Sequence, residues 1–166
     1  EHKKPTDEKP LFVNAAVMND TKTDFNIVSS LQMGEKWSTA LMGHVSGNFM
    51  AMDGNGDGIA DDPRQLQFNL ANRWLYFKGD GTAVRFGVRA VNDSRQGGQL
   101  MHGSDMPGAW TSDIANRSFG AYLKAGTPAG RAGSVAMVSD YSFQKMDSRF
   151  GDALYGARQH SAYLGL

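Results

Sequence analysis

Residues 53–62 hold the densest run of hard oxygen donors in the chain, Asp53-Gly54-Asn55-Gly56-Asp57-Gly58-Ile59-Ala60-Asp61-Asp62. Asp53, Asn55 and Asp57 fall at positions 1, 3 and 5 of an EF-hand-type loop, Gly58 at 6, the Ile59 carbonyl at 7 and Asp61 at 9, a donor set suited to Ca²⁺. Position 12, which should carry a bidentate acid, is Arg64 following Pro63, so Asp61 or Asp62 would have to substitute. The competing reading is a run of Asp-Asn-Gly turns that only folds a loop. His44, His102 and His160 are scattered, and only His102 has company of the ligand-gripping kind, in Met106 and Trp110. Those three are ligand-loop candidates, weighed against ordinary loop residues. No serine lies on a nucleophile elbow, and no glycine-rich phosphate loop opens a helix. Asp105, Asp113 and Asp152 lack paired-carboxylate spacing. The sequence therefore points away from an enzyme.

Composition narrows the class. Lysine plus arginine equals aspartate plus glutamate, 17 each, over 166 residues. A nucleic-acid binder would need a basic surplus to hold phosphates. With no cysteine, disulfides and thiolate metal sites are excluded. Nine methionines are many for this length, and they read as packing rather than metal handling. No stretch approaches the ~20 apolar residues of a membrane-spanning helix. Residues 1–10 are charged and lack the apolar core of a signal peptide.

The elements that would position any site read as strands. Period-two alternation recurs along the chain. Phe25, Ile27, Leu31 and Met33 alternate with Asn26, Val28, Ser30 and Gln32. Trp37, Thr39, Leu41 and Val45 alternate with Ser38, Ala40, His44 and Ser46. Leu66, Phe68, Leu70, Trp74 and Tyr76 alternate with Gln67, Asn69, Ala71 and Arg73. Lys78-Gly79-Asp80-Gly81-Thr82 reads as a hairpin turn, because Asp-Gly readily takes positive φ. Further strands are expected from Leu11 to Met18, through Val84–Ala90, Ser118–Lys124 and Val135–Phe143, and from near Arg158 to the end.

Connection lengths predict tight turns near 34–36, 78–82 and 126–133 and long loops near 49–65, 93–116 and 144–158. That asymmetry belongs to outer-membrane barrels. Trp37, Trp74, Tyr76, Phe77 and Phe86 cluster where strands meet short turns, and Tyr141 and Phe143 are expected near the opposite rim. Together they would form two aromatic girdles. Arg73, Arg85, Arg89, Lys124 and Asp140 fall on the side opposite the apolar stripe. A small soluble barrel would bury those charges at several kcal/mol each, roughly, whereas a wide lumen leaves them wet. A soluble antiparallel barrel or sandwich with ordinary core aromatics is the alternative.

One further pattern is carried by a succession of short motifs. They are Lys3-Lys4-Pro5, Pro10-Leu11-Phe12-Val13-Asn14, Lys36-Trp37-Ser38-Thr39-Ala40-Leu41, Asp53 to Gly58 with Asp62-Pro63, Gln67-Phe68-Asn69-Leu70, Asn72-Arg73-Trp74, Arg85 to Arg89 and Arg95 to Gln99. In this order and spacing the chain resembles the TonB-dependent outer-membrane receptors of Bacteroidetes-type bacteria. The resemblance implies an all-β, antiparallel up-and-down transmembrane barrel of about 22 strands. It implies residues 1–10 as the end of a plug region or linker and 11–166 as the first part of the barrel. It implies import of a scarce nutrient, a siderophore, haem, cobalamin or glycan, with energy delivered by TonB. The implied partners are outer-membrane lipid, the plug and remaining strands of the same receptor, TonB through a missing N-terminal part, and a surface-exposed lipoprotein. The implied location is the bacterial outer membrane. The chain is then expected to be a fragment, with a plug encoded upstream and further strands downstream. Two other readings remain open: a complete eight-stranded barrel serving as envelope anchor or adhesin, and a soluble β-sandwich binding module.

Overall fold

The computed structural model of the chain describes residues 9–18, 22–100 and 108–166. They form one antiparallel sheet of eight strands in strict sequence order. The strands are β1 (Leu11–Val17), β2 (Lys22–Met33), β3 (Trp37–Asn48), β4 (Arg64–Phe77), β5 (Ala83–Gly98), β6 (Thr111–Pro128), β7 (Ser134–Phe150) and β8 (Ala153–Gly165). The expected all-β, up-and-down architecture is what is found. The sheet is open, with β1 and β8 as its edges. Among the described residues it does not close into an eight-stranded barrel, and no second layer packs on it. Of the expected plug remnant, only Lys9 and Pro10 lie within the described residues. The Pro10 carbonyl already accepts the Ser30 amide, at 3.0 Å.

Each turn follows from its residues. Gly79 and Gly81 take φ of 92° and 93°, open to glycine and strained for other residues. Lys78 N–H donates to the Thr82 carbonyl, and Asp80 accepts the Thr82 amide at 2.9 Å. This turn packs on its neighbour: the Thr82 and Thr127 hydroxyls lie 2.9 Å apart. The connections 34–36, 78–82 and 129–133 all sit at one end of the sheet. The long connection 49–63 and the described ends of the connection between β5 and β6 sit at the other, joined by an antiparallel bridge between Ile59 and Gln99.

The third long loop expected at 144–158 does not exist. β7 runs on to Phe150, a two-residue turn follows at Gly151 (φ 58°) and Asp152, and β8 starts at Ala153 rather than near Arg158. Lys145, Asp147, Arg149 and Arg158 look like loop residues by charge, but they alternate with Met146, Ser148 and Phe150 as a strand does. The loop expected at 93–116 likewise shrinks to 99–110, because β5 and β6 run to 16 and 18 residues.

Candidate functional site

The register sorts every side chain onto one of two faces, since directly opposed residues on antiparallel strands share a side. One transverse row runs Leu11, Ser29, Leu41, Asn72, Val88, Ala121, Tyr141, Ala162. Around it on the same face stand Phe25, Ile27, Leu31 and Val45, then Phe68, Leu70, Phe86, Phe119 and Leu123. Most of the chain's exposed large apolar side chains lie here, including Leu41, Phe68, Leu70, Val88 and Val135. The opposite face carries Asp24, Gln32, His44, Gln67, Asn69, Arg73, Arg85, Arg89, Lys124 and Asp140. All the buried side chains, Ser38, Ala40, Asn48, Leu75, Asp93 and Ser148, belong to that polar face. The polar face is therefore the more closely packed of the two; we call it the inner face and the apolar one the outer face.

The apolar face is finished at its short-turn end by aromatic rings. Trp37 meets Tyr76 with ring centroids 4.9 Å apart and lies edge-on to Trp74 at 6.3 Å, while Trp74 stacks on Phe86 at 6.1 Å. Four of the five aromatics expected at this end therefore form one cluster, whereas Phe77, which follows Tyr76 directly on the strand, falls on the opposite face. Asn72 would be a misplaced amide on this surface, but its partners are complete. It accepts from the Trp74 indole and donates to the Thr39 hydroxyl and the Ala40 carbonyl at 3.1 and 3.2 Å. Tyr141 and Phe143 lie in mid-β7 rather than at the sheet's rim. They are nevertheless the last aromatics before that face turns charged at Lys145, Asp147 and Arg149. Phe143 packs on His160 at 4.9 Å, and the Tyr141 hydroxyl lies 3.0 Å from His160 Nδ1.

The polar face is hydrogen-bonded across strands. His44 lies 3.0 Å from Asp24 through Nε2 and 3.0 Å from the Asn69 amide through Nδ1, joining β2, β3 and β4. Toward the short-turn end the same face carries Arg73, Arg85, Arg89, Lys124 and Asp140. Two glycines make room for this layer. A Cβ on Gly120 would lie 2.7 Å from Arg89 Nε, and one on Gly87 would lie 2.8 Å from both Tyr122 and the Asn72 carbonyl.

The Asp53 loop folds on itself. Asp53 accepts the amides of Asn55, Gly56 and Gly58 at 3.2, 2.6 and 2.7 Å, and Asp57 accepts that of Ile59 at 2.8 Å. The Gly58 amide foremost holds the Asp53 carboxyl below its ordinary pKa. Asp61 accepts the Gly54 amide, and Asp62 pairs with Lys22 at 2.7 Å. Among the described residues no three acidic or histidine side chains converge closely enough to hold a metal ion. The arrangement fits the turn reading: carboxylates engaged by backbone amides and one lysine. Of the proposed Ca²⁺ donors, Asp53, Asn55, Asp57, Ile59, Asp61 and Asp62, the first three and Asp61 lie in this internally hydrogen-bonded loop, and Asp62 is turned to Lys22.

Of the ligand-loop candidates, His102 and Met106 lie outside the described residues. Trp110 closes the base of its loop: its amide donates to the Gln99 side chain at 2.7 Å, and its carbonyl accepts the Gln99 amide at 2.8 Å. A Cβ on Gly151 would lie 2.9 Å from the Trp110 ring, so Trp110 also covers the β7–β8 turn. Sequence reasoning missed this role, which depends on a turn it did not expect. An open concavity of about 480 Å³ lies at the upper ends of β5 to β8, bordered by Gln96, Asp113, Arg149, Leu154 and Tyr155. It is spanned by the Arg149–Asp113 ion pair. Comparison with known protein families, characterised proteins and solved structures gives no match.

Proposed function

We propose that this chain is a segment of the wall of an outer-membrane β-barrel, apolar face to lipid and polar face to an aqueous or plugged lumen. The observation that carries the reading is the bounded apolar band. On β7 it runs from Val135 to Phe143, interrupted by Ser139, and gives way to Lys145, Asp147 and Arg149 on the same face. That extent is close to the ~9–11 residues a tilted strand needs to cross a bilayer. The remainder of β5, β6 and β7 would then stand above the membrane, on the side of the two long connections. Monomeric soluble proteins rarely expose a contiguous apolar surface of this kind. The open edges at β1 and β8 favour a larger barrel over a small closed one, because a spanning sheet must pair both edges.

Within that reading the wall belongs to a TonB-dependent receptor that imports a scarce nutrient. The motif succession supports this, together with a basic inner face suited to contact with a plug. Fractionation of cells producing the protein tests the membrane claim. It is expected in the outer membrane, resistant to alkaline wash and extracted only by detergent. Recovery as a detergent-free soluble monomer would refute it. Mass spectrometry of small molecules retained on the natively purified protein tests the receptor claim, with a bound nutrient class as the expected result.

A further inference from the structure

Just above the apolar band, on the same outer face, three cations stand side by side. Arg117 on β6 is directly opposite Lys145 on β7, which is directly opposite Arg158 on β8. Like charges placed opposite one another destabilise a sheet, so such a row calls for a counter-charge. The protein supplies little. Lys145 pairs with Asp147 at 2.6 Å, and the same carboxylate is within electrostatic reach of Arg117 and Arg158. Among the described residues neither arginine has an ion pair of its own. The next acid up the face, Asp113, is taken by Arg149.

The row immediately below is Phe119, Phe143 and His160, the upper limit of the apolar band. With strands about 4.8 Å apart, the three cations span on the order of 10 Å, a width that a phosphate with its several acceptor oxygens can bridge. We propose that Arg117, Lys145 and Arg158 form a docking site for the phosphate of an anionic lipid, whose acyl chains lie on the apolar face beneath. The inference rests on the membrane reading above and adds to it a lipid class and a position. Charge complementarity selects the phosphate. The aromatic and aliphatic floor directly under the cations selects a phosphate that carries chains over a free one.

The test uses the protein in phosphatidylcholine bilayers with spin-labelled phosphatidic acid as a minor component. The quantity read is the preference of the immobilised lipid shell for phosphatidic acid over phosphatidylcholine. The wild type is expected to show a clear preference, weakened about fivefold for each cation removed. The R117Q/K145Q/R158Q variant is expected to show none. Arg158→Gln alone, on the edge strand, covers the case in which the triple variant fails to fold. Arg149→Gln, whose charge is already paired, should leave the preference in place. A wild type that inserts normally without preference for phosphatidic acid overturns the proposal and leaves the membrane reading standing. So does displacement of the lipid by inorganic phosphate at comparable concentration. A wild type that does not insert at all removes the membrane reading and this proposal together.

Discussion

The two faces of this sheet are made from the same strands, residue by residue, and they behave as different materials. The outer face is a mosaic of aliphatic and aromatic side chains left exposed, with its one central amide, Asn72, fully partnered. The inner face is a lattice of hydrogen-bonded amides, His44 between Asp24 and Asn69, and charged side chains, with Arg89 lying over Gly120. Each face is matched to a solvent that would ruin the other. Water on the first leaves a large apolar surface uncovered, and hydrocarbon on the second strips charges of hydration. The difference is what the proposed reading accounts for: the layer that covers the apolar face would be lipid.

The largest expected effect breaks the symmetry between neighbours on one strand. Leu70→Arg, in mid-band on the outer face, should cost about 2–4 kcal/mol of folding stability in a bilayer. Gln67→Arg, three positions away on the inner face, should cost under about 1 kcal/mol. Urea-dependent folding into lipid vesicles measures both. Equal costs would erase the distinction between the faces. Next is the aromatic cluster. Trp74→Ala removes ring contacts with Trp37 and Phe86 and leaves Asn72 without its indole donor. A loss of about 2–3 kcal/mol in the same assay is expected. The inner face is probed by Gly87→Ala, whose new methyl would sit 2.8 Å from a backbone carbonyl that cannot swing away. It should cost about 1–2 kcal/mol, whereas Gly126→Ala, with nothing nearer than 3.7 Å, should be close to neutral.

The smallest effect concerns the turn that both faces share. The Thr82 amide first, then the Lys78 ammonium, hold the Asp80 carboxyl down at about 2, against 3.8 for a free one. Hydrogen bonding to Asp80 in turn raises Lys78. A carboxyl whose folded pKa is depressed stabilises the fold fully above 3.8 and loses that contribution as pH falls through about 2. Hydrogen exchange at the Thr82 amide, followed from neutral pH downward, should show protection persisting below pH 3.8 and fading near 2. In Asp80→Ala that step should be gone.

Much of the wall was legible in the sequence, because the side-chain period of a strand is two and a single register error would invert both faces. Phe25 to Met33, Trp37 to Val45 and Leu66 to Tyr76 each announce their orientation, and Asp80-Gly81 announces its turn. The stretch 144–158 was misread for a physical reason. The strands outlast the apolar band, so charge on Lys145 and Arg158 marks the end of the apolar surface, whereas it was taken for the end of the strand. The loop at 53–62 shows a limit of another kind. Spacing alone does not separate carboxylates held for a cation from carboxylates that fold a turn, and the Gly56 and Gly58 amides on Asp53 are compatible with both. The cation row was invisible for a third reason, since Arg117, Lys145 and Arg158 meet only through the register of three strands.

The central claim, that the apolar face meets lipid, is tested most directly along β5. The chain has no cysteine, so single cysteines can be placed without background at positions 84 to 91, leaving out Gly87, where a side chain would meet the Asn72 carbonyl. Each is labelled with a fluorophore in the membrane-inserted protein and quenched by a lipid carrying a nitroxide on its acyl chain. Strong quenching at 84, 86, 88 and 90 with weak quenching at 85, 89 and 91 is the predicted result. Uniform quenching, or the opposite phase, would contradict the account.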